Sequence, residues 1–224
     1  MNKNALKIKR LVGVASLASL VVVLQLLSNY VTIGALNITL ALIPIVVGSI
    51  VYGPLAGFGL GAIMGVIVLT APSTLAFFMP VNPFATIVLC ILKSGLAGLV
   101  AGYLYRLTLF ITNKLAKDNN KIRNALFYVA VVLATLIVPV INTGLFIFGA
   151  ALFFQGVYGA ENFATAVPII IGAVFTTNFL IEFIVSVVLS PSVVFLVKVL
   201  ANRFDLGFTL NIDDNSSQNQ KAIE

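Results

Sequence analysis

The chain contains no histidine and no tryptophan, and only one cysteine. Without histidine, most zinc-hydrolase sites and imidazole proton relays are excluded. A lone cysteine, Cys90, closes no disulfide within the chain and says nothing about redox compartment. Charge is scarce as well. Asp, Glu, Lys and Arg make up 9% of the 224 residues, against about a quarter in ordinary soluble domains. There is no glycine-rich phosphate loop ending in lysine, so the chain has no means of its own to use ATP. One in-span carboxylate, with no paired acid, leaves little to run an intramembrane hydrolysis.

What is abundant is apolar sequence, at 60% of residues. Several runs are long enough to cross a bilayer. The pattern predicts an all-α integral membrane protein, a bundle of six transmembrane helices with both termini cytoplasmic and no sizeable soluble domain. Residues 1–10 read as a basic cytoplasmic leader, 11–204 as the membrane domain and 205–224 as a polar cytoplasmic tail. The first apolar run is too long for a signal peptide and lacks a small-residue cleavage site. The formal net charge of +6 is not a nucleic-acid signal, because its placement is topological. Lys3, Lys7, Lys9 and Arg10 precede the first span; Arg106, Lys114, Lys117, Lys121 and Arg123 fall in one loop; Lys198, Arg203 and Lys221 lie near the C-terminus. An even number of crossings between these clusters puts all of them on the cytoplasmic face.

The predicted spans are about 11–30, 38–52, 54–70, 84–106, 124–153 and 168–189. Gly53, Gly57, Gly61 and Gly65 recur every fourth residue after a Gly-Pro turn and so share one helix face. In lipid, such a face lets backbones approach closely. Ser94, Gly98 and Gly102 offer a partner face with the same spacing. Pro72, Pro80 and Pro83 forbid a continuous helix between spans three and four. That apolar, aromatic stretch, residues 71–83, reads either as a lid over the bundle or as a re-entrant segment. Span five is too long for one straight crossing, so a kink at Pro139 or a tilt is predicted. Pro191 is predicted to bend span six into a cytoplasmic extension.

Polar groups inside spans are costly and face a cavity or a partner. Here they are Lys93, Asn142, Asn178 and Glu182. At about 1.5 Å per residue, Lys93 lies roughly 14 Å below the outer end of its span, and Asn142 and Asn178 lie about 18–20 Å below theirs. Two readings stay open. Lys93 and Glu182 form an internal ion pair with the amides tying helices together, or the groups line a pocket open to the outside with Lys93 as counter-ion for an anionic ligand.

Several motifs resemble the substrate-binding S components of energy-coupling-factor (ECF) vitamin transporters. They are the basic start, the small-residue first helix, Leu42-Ile43-Pro44 through Gly48, Tyr52-Gly53-Pro54-Leu55-Ala56-Gly57 with Gly61 and Gly65, Asn82-Pro83-Phe84, and Leu92-Lys93-Ser94-Gly95-Leu96-Ala97-Gly98. The resemblance implies a six-helix protein in the cell membrane that captures a vitamin outside. It implies docking on a transmembrane coupling subunit served by two cytoplasmic ATPases, and no cofactor. The family's Ala-x-x-x-Ala docking signature falls on Ala15 and Ser19, with serine in place of the second alanine. The family's site elements carry Asn82, Lys93, Asn142, Asn178 and Glu182 here. A lysine with several amides and no tryptophan suits a small flexible acid bearing amide and hydroxyl groups, and pantothenate fits best. The competing functions are a stand-alone secondary transporter using Glu182 for ion coupling, and a non-transport membrane scaffold of the cell-shape type.

Overall fold

The computed structural model describes residues 3–30, 32–33, 36–37, 39–115, 120–174 and 179–204. The polar tail, Asn178, Lys117 and Lys221 lie outside the described residues. Seven α-helices are present among those described: α1 (Lys3–Tyr30), α2 (Leu42–Tyr52), α3 (Pro54–Val68), α4 (Pro83–Leu115), α5 (Asn120–Phe153), α6 (Phe163–Val174) and α7 (Leu180–Phe204). A two-residue antiparallel ribbon between α1 and α2 pairs Thr32 with Asn37 and Ile33 with Leu36. Four of the helices contain stretches long and apolar enough to cross a membrane: Lys7–Asn29, Pro83–Thr112, Ile122–Phe153 and Leu180–Leu200.

The α2–α3 turn sits where the sequence places it. Gly53 has φ of 102°, a conformation that a side chain disfavours, and Pro54 opens α3 at its first turn, where its missing N–H costs nothing. α2 and α3 have 11 and 15 residues. At about 1.5 Å per residue both stop well short of a 30 Å hydrocarbon layer.

α4 packs between α3 and α5. Gly57, Gly61 and Gly65 lie against the α4 backbone. A Cβ on Gly57 would stand 2.6 Å from the Gly98 carbonyl, and Cβ atoms on Gly61 and Gly65 would collide with the backbone at Ser94–Gly95 and Cys90–Ile91. The buried Ser49 hydroxyl of α2 donates to the Gly98 carbonyl, 2.6 Å away. Around this seam, Ile45, Val46, Leu60, Ala97, Ala101, Phe127, Val131, Ala134 and Val193 form the main apolar core.

Several boundaries differ from the sequence reading. α4 runs on to Leu115 rather than ending near residue 106, because no proline or glycine stops it. Thr108 and Thr112 fold their hydroxyls back onto the Leu104 and Thr108 carbonyls. Pro139 lies inside α5, which continues through it as the predicted kink or tilt allows. The predicted sixth span is described as two helices, α6 and α7. Pro168 lies within α6 and does not start it, and Pro191 lies within α7 without ending it.

The ends of the bundle differ in charge. The Arg10 guanidinium donates to the Tyr52 carbonyl, and the Arg106 side chain reaches the same turn at Gly53. Tyr105 packs edge-on against Phe127, and the Lys198 ammonium lies over the Tyr128 ring, 4.1 Å from its centroid. The start of α1, the α2–α3 turn, the C-terminal half of α4, the start of α5 and the end of α7 therefore share one basic end.

Candidate ligand-binding site

The opposite end holds a cavity of about 300 Å³, at the lower limit of ordinary ligand pockets. Short α2 and α3 leave room for it. Its walls come from the C-terminal turns of α1, the end of α3, the first half of α4, the last third of α5 and the start of α7. Residues 71–78 form one side of the cavity. The chain bends at Ala71 and forms a π-helical turn over Thr74–Phe78. Phe78 then meets Phe154 and Phe146 edge-to-face at 5.2 and 5.7 Å between centroids, with Tyr158 at 6.5 Å. Burial pushes the Tyr158 hydroxyl above the ordinary phenol range, so at neutral pH it remains a donor.

Lys93, Asn142 and Glu182 all line this cavity. The Lys93 ammonium lies over the Phe146 ring, 5.0 Å from its centroid, and acts electrostatically on the Glu182 carboxyl. The side chains of Thr39 and Asn142 also lie beside the Glu182 carboxyl. The Ser94 hydroxyl donates to Asn142 Oδ1 at 3.5 Å. Ser94, Asn142 and Glu182 thus gather polar groups of α4, α5 and α7 in one cluster. Asn142 and Glu182 are both buried.

Asn82 is not among the residues lining the cavity. Its side chain caps α4, with Oδ1 accepting from the Ala85 amide at 3.0 Å, which is the work of an N-cap asparagine. Asn178 lies outside the described residues. Ala15 and Ser19 stand exposed on α1, far along the helix from the cavity, with the Ser19 hydroxyl bonded back to the Ala15 carbonyl at 3.1 Å.

Sequence reasoning passed over Gln25, Ser28 and Asn29, which contribute the α1 wall. Their signal was three polar residues spaced on one helix face within an apolar span. Thr39, Thr74, Thr86 and Thr143 add hydroxyls, and threonine in an apolar run carries no comparable signal. Among the described residues no group of three or more His, Cys, Asp or Glu side chains is gathered as metal ligands are.

A family model described as ECF transporter, substrate-specific component, matches residues 9–194. The chain belongs to this family. No significant match is found among curated proteins or among solved structures. The matched range of this ECF substrate-specific component takes in every residue that lines the cavity, from Gln25 to Glu182. Its place in the transporter is therefore that of the substrate-binding subunit, a membrane protein that works with an ECF module.

Proposed function

We propose that this S component takes a small anionic micronutrient, a vitamin with pantothenate as the leading candidate, from outside the cell into the cavity near Lys93. The supporting observation is that Lys93, Asn142 and Glu182, carried by three different helices, line one cavity. Most of the lining residues carry polar groups, and placed polar groups set ligand orientation. Pantothenate offers a carboxylate for Lys93, an amide and two hydroxyls for the threonine and amide side chains, and a dimethyl group for the Phe78–Phe146–Phe154 wall.

Orientation follows from the positive-inside rule. The basic end of the bundle faces the cytoplasm, so the cavity opens outward, and six crossings leave both termini inside. In this topology α1 to α5 supply five crossings and residues 163–204 the sixth. The short α2 and α3 are accommodated by local thinning of the bilayer. After capture, the S component docks through the face of α1 that carries Ala15 and Ser19 on a transmembrane coupling subunit with two cytoplasmic ATPases.

Titration calorimetry of detergent-purified protein with pantothenate tests the ligand assignment, with native mass spectrometry to detect a co-purified small molecule. Saturable binding is expected, and Lys93→Ala weakens it by about 10- to 100-fold, the worth of a charge-assisted hydrogen bond. Absence of pantothenate binding by the unaltered protein removes that ligand. An unchanged affinity in Lys93→Ala removes Lys93 as counter-ion.

A further inference from the structure

Gln25 lies on α1 with 4% of its surface exposed, and its Oε1 has no hydrogen-bond partner among the described residues. A buried acceptor left without a donor is costly and calls for an explanation. Its orientation is fixed by neighbours that leave no choice. The Ile67 carbonyl only accepts, so the amide nitrogen of Asn29 must face it, at 3.0 Å. Asn29 therefore turns Oδ1 toward Gln25, and Gln25 must present Nε2 to it, at 2.8 Å. Thr70 supports the arrangement by donating to the same Ile67 carbonyl at 2.7 Å. An amide flip at Gln25 would set two oxygens against each other. The relay from α3 through Asn29 thus leaves Gln25 Oε1 as the free atom, on a residue that lines the cavity.

We infer that Gln25 is a specificity-determining residue whose Oε1 accepts a hydrogen bond from a hydroxyl group of the ligand. The inference rests on the proposed site and adds a requirement to it: the ligand carries, besides its acid group, a donor that reaches the α1 wall. An acid of the same size without such a donor leaves Oε1 unsatisfied and is rejected, because sites built around buried polar groups discriminate against analogues that cannot pair with them. Ser28 and Asn29 occupy the same wall, but their bonds are already made: Ser28 donates to the Leu24 carbonyl at 2.8 Å. The selective group is therefore Gln25.

The test compares pantothenate with the analogue in which both of its hydroxyls are replaced by hydrogen, by calorimetry, on the unaltered protein, Gln25→Met and Gln25→Glu. The unaltered protein is expected to prefer pantothenate by about tenfold, the worth of one hydrogen bond. In Gln25→Met that preference falls toward unity, because the methionine has no acceptor oxygen. Gln25→Glu keeps an acceptor on the same stem and retains a preference for the hydroxylated ligand. Equal binding of the two compounds by the unaltered protein overturns the inference without any variant. Retention of the full preference in Gln25→Met also overturns it, while leaving the ligand site intact. If the unaltered protein binds neither compound, the pantothenate site and the Gln25 assignment fall together.

Discussion

Asn142 is a buried amide among apolar helices. Its oxygen accepts from Ser94 on α4 and it lines the cavity beside Glu182 of α7, so it stands where three helices meet. Replacing it with leucine leaves the buried Ser94 hydroxyl short of its acceptor and sets an apolar side chain beside the buried Glu182 carboxyl. Unsatisfied buried groups of this kind cost about 1–3 kcal/mol each. Asn142→Leu is therefore expected to lower the melting temperature in detergent measurably. Gly144→Ala serves as the control, because no atom lies within 4 Å of a Cβ placed there. A melting temperature equal to that of the control variant would show that the polar cluster contributes nothing. Lys93, Asn142 and Glu182 could be picked out from sequence because a charged or amide side chain in an apolar run carries a large desolvation cost and must be placed somewhere. Gln25 and Asn29 carry the same cost but fall near the end of α1, where a sequence reading assigns polar groups to the interface. Asn82 is named for a weaker reason, the family resemblance alone, and it stands before a proline at a helix start, where asparagine caps readily.

Among the elements, the seam between α3 and α4 is the tightest. Gly57, Gly61 and Gly65 meet the backbone of α4 at Gly98, Ser94 and Cys90, and both helices carry cavity residues at the same end, Met64 and Val68 on one and Thr86 to Lys93 on the other. Without a hydrophobic drive between helices in lipid, contact across such a seam is a main source of cohesion. A side chain at Gly61 has no room to turn aside, since what it meets is backbone. Gly61→Leu is expected to abolish the monodisperse peak in size-exclusion chromatography. Gly59→Leu, at a position where no atom lies within 4 Å of an added Cβ, is expected to preserve it. A well-behaved Gly61→Leu protein would contradict the close packing. Spacing of small residues made this seam legible, since a four-residue repeat has one geometric meaning on a helix. Prolines were less informative. Pro168, read as a span start, lies inside α6, while Pro139 and Pro191, read as a kink or bend, lie inside α5 and α7. In a membrane bundle, neighbouring helices and side-chain hydroxyls re-satisfy the carbonyl that a proline deprives of its donor.

For the molecule as a whole, the decisive feature is that its two ends are chemically distinct and its α1 helix runs between them. At one end Arg10 and Arg106 converge on the Tyr52–Gly53 turn; at the other, Gln25 and Asn29 form part of the cavity wall. Between the two, Ala15 and Ser19 sit on an exposed face with Leu11, Val12 and Leu20, away from the α2 and α3 contacts. Exposure of apolar residues is ordinary for a helix that faces lipid. Small residues four apart on that face add something lipid does not require, since they let another helix approach closely. A bulky residue there obstructs a partner helix while leaving the cavity untouched. Ala15→Trp is expected to bind pantothenate with the affinity of the unaltered protein and to lose co-purification with a co-expressed coupling subunit and its ATPases. The two readouts separate the surfaces: loss of ligand affinity would mean that the substitution distorts α1 as far as Gln25, and retained assembly with retained binding would move the docking surface to another face of the bundle.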